Sequence, residues 1–144
     1  MKCLLPLAFC LGSALPAAAW EFTPGAVCVL THTEPGVSMS LTHDPAGPLY
    51  TITVTRAQPW PDAPIFAMQF DGPRPIAIST TAQSFSADRR SLTVSDTGFG
   101  NVLNGLQFNF TASAFLGDAA VVVSLANASE PVQKFRECDQ RGLV

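Results

Sequence analysis

Two histidines, His32 and His43, are the only side chains of this chain whose ordinary pKa lies near neutrality, and His43 is followed directly by Asp44. A histidine beside a carboxylate can be held in one tautomer and serve as the base for a hydrolytic nucleophile. The nucleophile itself cannot be located, since the serines are many but none stands in a Gly-x-Ser-x-Gly elbow. Both histidines fall near the ends of predicted strands, which reads as two solvent-facing loop positions. Together with Glu34 and Asp44 they match no standard zinc spacing, so neither a metal nor another cofactor is expected.

The four cysteines divide into two pairs. Cys3 and Cys10 fall in residues 1–19, which carry a positive Lys2, an apolar run from Cys3 to Leu15 and the small residues Pro16-Ala17-Ala18-Ala19. This is the pattern of an export signal, with cleavage expected between Ala19 and Trp20. Phe9 stands where lipoprotein processing at Cys10 would want a small residue. The apolar run is shorter than the roughly 20 residues of a membrane-spanning helix, and nothing later approaches that length. Residues 20–144 then form a single domain in a compartment that permits disulfides, and Cys28 and Cys138 are expected to bridge. A reactive thiol or a metal site has no support in their spacing, because there is no Cys-x-x-Cys.

Composition narrows the partners. The chain has 47% hydrophobic and 13% charged residues, far from the regime of disordered sequences. Without Lys2 it holds seven basic residues against its eleven acidic ones, a balance that disfavours binding a phosphate backbone, so nucleic acid is excluded as a partner. The basic pair Arg89-Arg90 reads as an exposed turn. Gly98-Phe99-Gly100-Asn101-Val102-Leu103-Asn104-Gly105 lacks both the GxGxxG and the P-loop lysine patterns and reads as a tight sheet-to-helix junction, with its glycines at positive φ and Phe99 plugging the core. Asn109 and Asn127 head Asn-x-Ser/Thr triplets, coincidental in a bacterial export.

One segment is a candidate for recognition. Pro59 and Pro61 flank Trp60, and a tryptophan held between prolines is a rigid amphipathic anchor of the kind found at interface hot spots. The alternative is that Trp60 covers one end of the core. Trp20 and Phe22, at the expected new N-terminus, carry the same two readings.

The elements that must position these residues are mostly strands. Short bursts of period-two hydrophobicity, separated by Pro, Gly and Asp, run from Val27 to Val94. Val27–Thr31 opens the series; Val37–Leu41 should pair with Leu49–Thr55, Ile65–Phe70 with Ile76–Ser79, and Gln83–Ser86 with Leu92–Val94. Residues 58–64, with three prolines, cannot form a ladder strand. Phe99 to Phe110 has helical spacing but many glycines and asparagines, which predicts one or two irregular turns. Thr111 is expected to cap a short helix over Ala112–Leu116, followed by a buried strand over Ala119–Leu125, and Ser129 to cap a final helix presenting Val132, Phe135 and Cys138 on one face. The expected fold is mainly β, an antiparallel barrel or sandwich of about 7–8 strands, with a short irregular helix and a C-terminal helix tied by one disulfide.

Ala19-Trp20-Glu21-Phe22-Thr23-Pro24-Gly25, Pro59-Trp60-Pro61, Thr97-Gly98-Phe99-Gly100-Asn101-Val102-Leu103-Asn104-Gly105-Leu106 and Phe135-Arg136-Glu137-Cys138 together resemble a group of small exported proteins of alphaproteobacteria, across nearly the whole mature chain. Some members carry the name of the helicase-like component of the excision-repair nuclease. That component is a large cytoplasmic ATPase, and a chain with an export signal, no P-loop and no basic face does not fit the name. In architecture alone the chain is also similar to the invasion-associated locus B periplasmic proteins, a likeness that transfers no site residues. The expectation for function is a periplasmic or secreted, non-enzymatic domain that binds a protein or an envelope component. The alternatives are an inhibitor of an envelope hydrolase, inserting the proline loop, and a small hydrolase using His43 and Asp44.

Overall fold

The structure is a computed structural model, and it describes Gly12 and residues 19–138. The expected export signal therefore lies almost wholly outside the described residues. Ten strands and two helices follow in the order β1 (Glu21–Thr23), β2 (Cys28–Glu34), β3 (Val37–Asp44), β4 (Leu49–Arg56), β5 (Phe66–Asp71), β6 (Ile76–Thr80), β7 (Ser84–Phe85), β8 (Ser91–Asp96), α1 (Gly100–Phe108), β9 (Thr111–Leu116), β10 (Ala119–Ser124) and α2 (Ser129–Arg136).

They form two antiparallel sheets, one ordered β1-β2-β3-β4-β8-β7 and the other β10-β9-β5-β6. The sheets face each other as a sandwich and do not close into a barrel, which decides between the two expected architectures.

Strand parity explains which side chains meet. In the larger sheet, register pairs Leu30 with Leu41, Leu41 with Ile52 and Ile52 with Val94 in one row, and Met39 with Val54 and Val54 with Leu92 in the next. These residues form the inner face and are buried except for Val94, which is half-buried. Full burial of such a side chain is worth about 1.5–3 kcal/mol. The alternate positions on the outer face are almost all hydroxyls, and cross-strand pairs such as Thr53–Thr93 and Thr55–Ser91 bond at 2.8 and 2.7 Å. The smaller sheet answers with Phe66, Met68, Phe70, Ala112, Ala114 and Leu116.

Three elements differ from expectation. Residues 111–116 are a strand, not a helix: Gly117 at φ +58° turns the chain so that Leu116 pairs with Ala119, and the β9–β10 hairpin satisfies backbone groups that a five-residue helix would leave open. β10 is an edge strand with alternating exposure rather than a buried one, Val122 facing outwards. α1 is a regular helix of nine residues, and its start carries no positive-φ glycine, the glycines at positive φ being Gly36, Gly72 and Gly117 among the described residues.

The poor helix formers of α1 are there for packing. A Cβ on Gly105 would lie 2.4 Å from two ring carbons of Phe70, which is completely buried. Asn109 ends the helix by donating from Nδ2 to the carbonyls of Gly105 and Arg74 while its Oδ1 accepts from the Arg74 amide. Gly105→Ala should therefore lower stability by about 2 kcal/mol, an overpacking cost of about 3 against a propensity gain of about 1. Gly100→Ala, where the added carbon meets nothing within 4 Å, should not. Urea midpoints of the two variants check this, and equal midpoints would show that the close approach to Phe70 does not exist.

α2 packs Val132 and Phe135 inwards, and Cys138, just past its end, joins Cys28 of β2 across 110 residues of sequence with Cα atoms 6.3 Å apart. Ala128, not Ser129, occupies the N-cap position, without a side-chain bond. Arg136 donates to Gln107 Oε1 at 2.7 Å and to Asn104 Oδ1 at 2.6 Å, fastening α2 to α1. Partial burial lowers its pKa from the ordinary guanidinium value.

Candidate functional site

The proline segment is a brace of the core. Trp60 is 1% exposed; its Nε1 donates to the Val54 carbonyl at 3.2 Å, its ring meets Phe66 edge to face, and the Arg56 guanidinium lies 5.2 Å from the ring centroid. Arg89, at φ 59°, donates from Nε to the Trp60 carbonyl and from Nη2 to the Pro61 carbonyl, and covers the Phe85 ring at 4.0 Å. One half of the expected exposed basic pair is thus a clamp, and only Arg90 projects freely into solvent. The turn that carries them is set by Asp88, whose carboxylate accepts from the Ser86 hydroxyl and the Arg90 amide, bonds that hold its pKa below the ordinary value. Pro59 is exposed and Pro61 half-buried, so the outward surface of the segment is proline edge rather than indole.

The histidines are buried, contrary to the loop positions expected of them. His32 is 2% exposed and stacks on Trp20 at 4.6 Å, with Nε2 2.7 Å from Glu34 Oε2. Glu34 also accepts from the Ser124 amide, and the Trp20 indole donates to the Ser124 carbonyl at 2.9 Å. This network sews Trp20, the expected first residue of the processed chain, to the end of β10. His43 is 1% exposed, stacked on Tyr50 at 3.9 Å and set beside Phe135, in register with Cys28. Asp44, next along the same strand, points to the opposite face and accepts from the Ala46 amide in the turn. Strand alternation thus separates the two members of the sequence dyad. Among the described residues no group of three His, Cys, Asp or Glu comes together as a metal site.

Two concave features among the described residues lie elsewhere. Between the edge strand β6 and the end of β8 that runs past its two-residue edge partner β7, a cleft of about 690 Å³ opens towards the start of α1. Its apolar lining comes from Ile52, Phe66, Met68, Ile78, Val94, Phe99 and Val102, joined by Thr80, Asp96 and Asn101. Ile78 and Val94 are inner-face residues that remain half-buried, because the opposite sheet ends before covering them. Phe99 closes one end against Tyr50, ring centroids 5.5 Å apart. A smaller and more open depression of about 430 Å³ lies beside Trp20, Phe22 and Pro131.

None of the residues singled out from the sequence for recognition or catalysis lines the cleft. The signal that could have marked it is the glycine-bracketed Gly98-Phe99-Gly100-Asn101 junction following a strand, together with apolar alternation in β6 on a strand already placed at a sheet edge by Pro73 and Pro75.

Fold and cleft together define a small, disulfide-tied, two-sheet β-sandwich, open along one seam and apolar inside the opening. No family model, no curated protein and no solved structure matches the chain.

Proposed function

We propose that the protein is a non-enzymatic, exported binding domain, periplasmic or secreted, whose ligand is an apolar or amphiphilic component of the cell envelope held in the seam between its sheets. The observation that carries this reading is the cleft itself: a volume within the range of small-molecule sites and a lining, contributed by both sheets, that is more apolar than polar. Export is supported by the residue pattern of 1–19 and by the Cys28–Cys138 disulfide, a bond that persists in oxidising compartments. Among the described residues no helix is long and apolar enough to cross a membrane.

Filling the cleft tests the reading. Ile78 lies on an edge strand and is half-buried, so Ile78→Trp should fold while occupying the space a ligand needs. The expected result is that N-phenylnaphthylamine fluorescence, enhanced by the native protein, falls at least tenfold in apparent affinity in the variant, with unchanged circular dichroism. Equal enhancement by both proteins would show that the seam is not the binding site.

A further inference from the structure

Resting on that reading, we infer that the cleft selects a single-chain amphiphile with an ammonium head and rejects one with a carboxylate head. The chemistry of the mouth carries this. Of the described residues that line the cleft, Asp96 is the one that bears a charge; there is no Lys, Arg or His among them. The other polar side chains there are neutral, the Thr80 hydroxyl and the Asn101 amide, since alternation puts Ser79 and Ser95 on the outer-face positions of their strands. A fatty-acid carboxylate drawn into such an opening would meet a like charge without a counter-ion, whereas an ammonium would meet a carboxylate and neutral oxygen acceptors.

Position strengthens the assignment. Asp96 is the last residue of β8 and pairs in register with Tyr50, whose row faces inwards, so its side chain leaves the strand on the cleft side. It is exposed, and its Oδ1 accepts the Thr97 amide at 2.6 Å, which holds the carboxylate at the rim. The start of α1, four residues on, also lines the mouth; it has no acidic residue in its first turn and no side-chain cap, so Asp96 is the one carboxylate among the residues lining this end of the cleft. The overall acidic balance of the protein acts in the same direction at longer range.

The experiment compares dodecylammonium, monododecanoylglycerol and dodecanoate, all below their micelle concentrations, as competitors for N-phenylnaphthylamine bound to the full processed chain. The expected order of affinity is ammonium, then glycerol ester, then carboxylate. Asp96→Asn keeps the acceptor for the Thr97 amide and removes the charge; it should cut the advantage of ammonium over the glycerol ester by about two- to fivefold, the scale of an exposed ion pair. Glu130→Gln removes an equal charge from the exposed start of α2, which follows β10 at the edge of its sheet opposite β6, and should leave the order and the ratios as they are. Dodecanoate binding as tightly as dodecylammonium, or an Asp96→Asn ratio equal to that of Glu130→Gln, would overturn the head-group assignment while leaving the cleft as a binding site. Failure of all three to compete, with N-phenylnaphthylamine binding unaffected by Ile78→Trp, would overturn the cleft reading itself.

Discussion

Trp60→Ala is expected to lower the unfolding free energy by about 3–5 kcal/mol, the usual cost of deleting a large buried aromatic. The indole is 1% exposed and fills the space between Val54, Phe66 and the Arg56 guanidinium, so truncation leaves a cavity, and the Val54 carbonyl loses its Nε1 donor. The backbone around it offers no means of collapse, because the Trp60 amide bonds to the Arg89 carbonyl at 2.7 Å while Arg89 returns two bonds to the Trp60 and Pro61 carbonyls. Urea denaturation followed by tryptophan fluorescence and circular dichroism measures the effect. A loss below about 1 kcal/mol would mean that the ring is not part of the core. Trp60→Phe, which keeps most of the apolar volume and gives up the hydrogen bond, should cost only about 1 kcal/mol. The consequence for binding work is direct: a partner lost on Trp60→Ala reports a destabilised domain unless Trp60→Phe loses it as well.

The second large effect concerns the disulfide. Cys28 and Cys138 enclose 110 residues, and in the chain-entropy model a crosslink of that span stabilises by about 4–5 kcal/mol. That is a large share of the about 5–15 kcal/mol typical of a domain. The double variant Cys28→Ser/Cys138→Ser should show this loss, and native protein denatured in the presence of dithiothreitol should show nearly the same loss, since both act on the unfolded chain. The bond also holds the end of α2 against β2, beside the His43–Tyr50 stack, so the same variants should dull the near-ultraviolet signal of Tyr50 before global unfolding. A double variant within about 1 kcal/mol of the native protein would show that Val132, Phe135 and the Arg136 bonds secure the helix without the crosslink.

Much of the sandwich can be read along the chain, and the reason is local. β3 with β4, β5 with β6 and β7 with β8 are each joined by short connections of turn-forming residues, so alternation and turn chemistry are enough to pair them. The final helix is legible for the same kind of reason, its apolar positions falling on one face. Where the reading fails, a distant contact decides. Ala112–Leu116 is apolar and compact enough for a helix, yet β5 offers Phe66, Met68 and Phe70 as a template on one side and β10 pairs on the other. Gly100–Phe108 looks too rich in glycine and asparagine for a regular helix, yet Gly105 is needed against Phe70 and Asn104 receives Arg136. The histidines read as polar residues near strand ends, and the register of β2 against β3 turns both inwards, where Trp20 and Tyr50 stack on them.

The candidate site was the least legible part. A cleft at a sheet seam depends on how far the edge strands reach, and here the edge strand β7 covers only Leu92 and Thr93 of β8, leaving Val94–Asp96 to line the cleft with β6 of the other sheet. Ile78, Val94 and Asp96 carry no motif, and their chemistry exists only as a set.

By itself, then, the amino-acid sequence determines a mainly β domain with one crosslink and a helical C-terminal segment, because composition, alternation, turn residues and cysteine count act through neighbours in the chain. The tertiary structure alone decides that the sheets stay open, that Trp60 and the histidines belong to the core, and that Asp96 stands at the mouth of an apolar cleft. Those outcomes depend on contacts such as Arg89 with Trp60, Trp20 with His32 and β6 with the end of β8, between residues whose separation in sequence leaves no periodic trace.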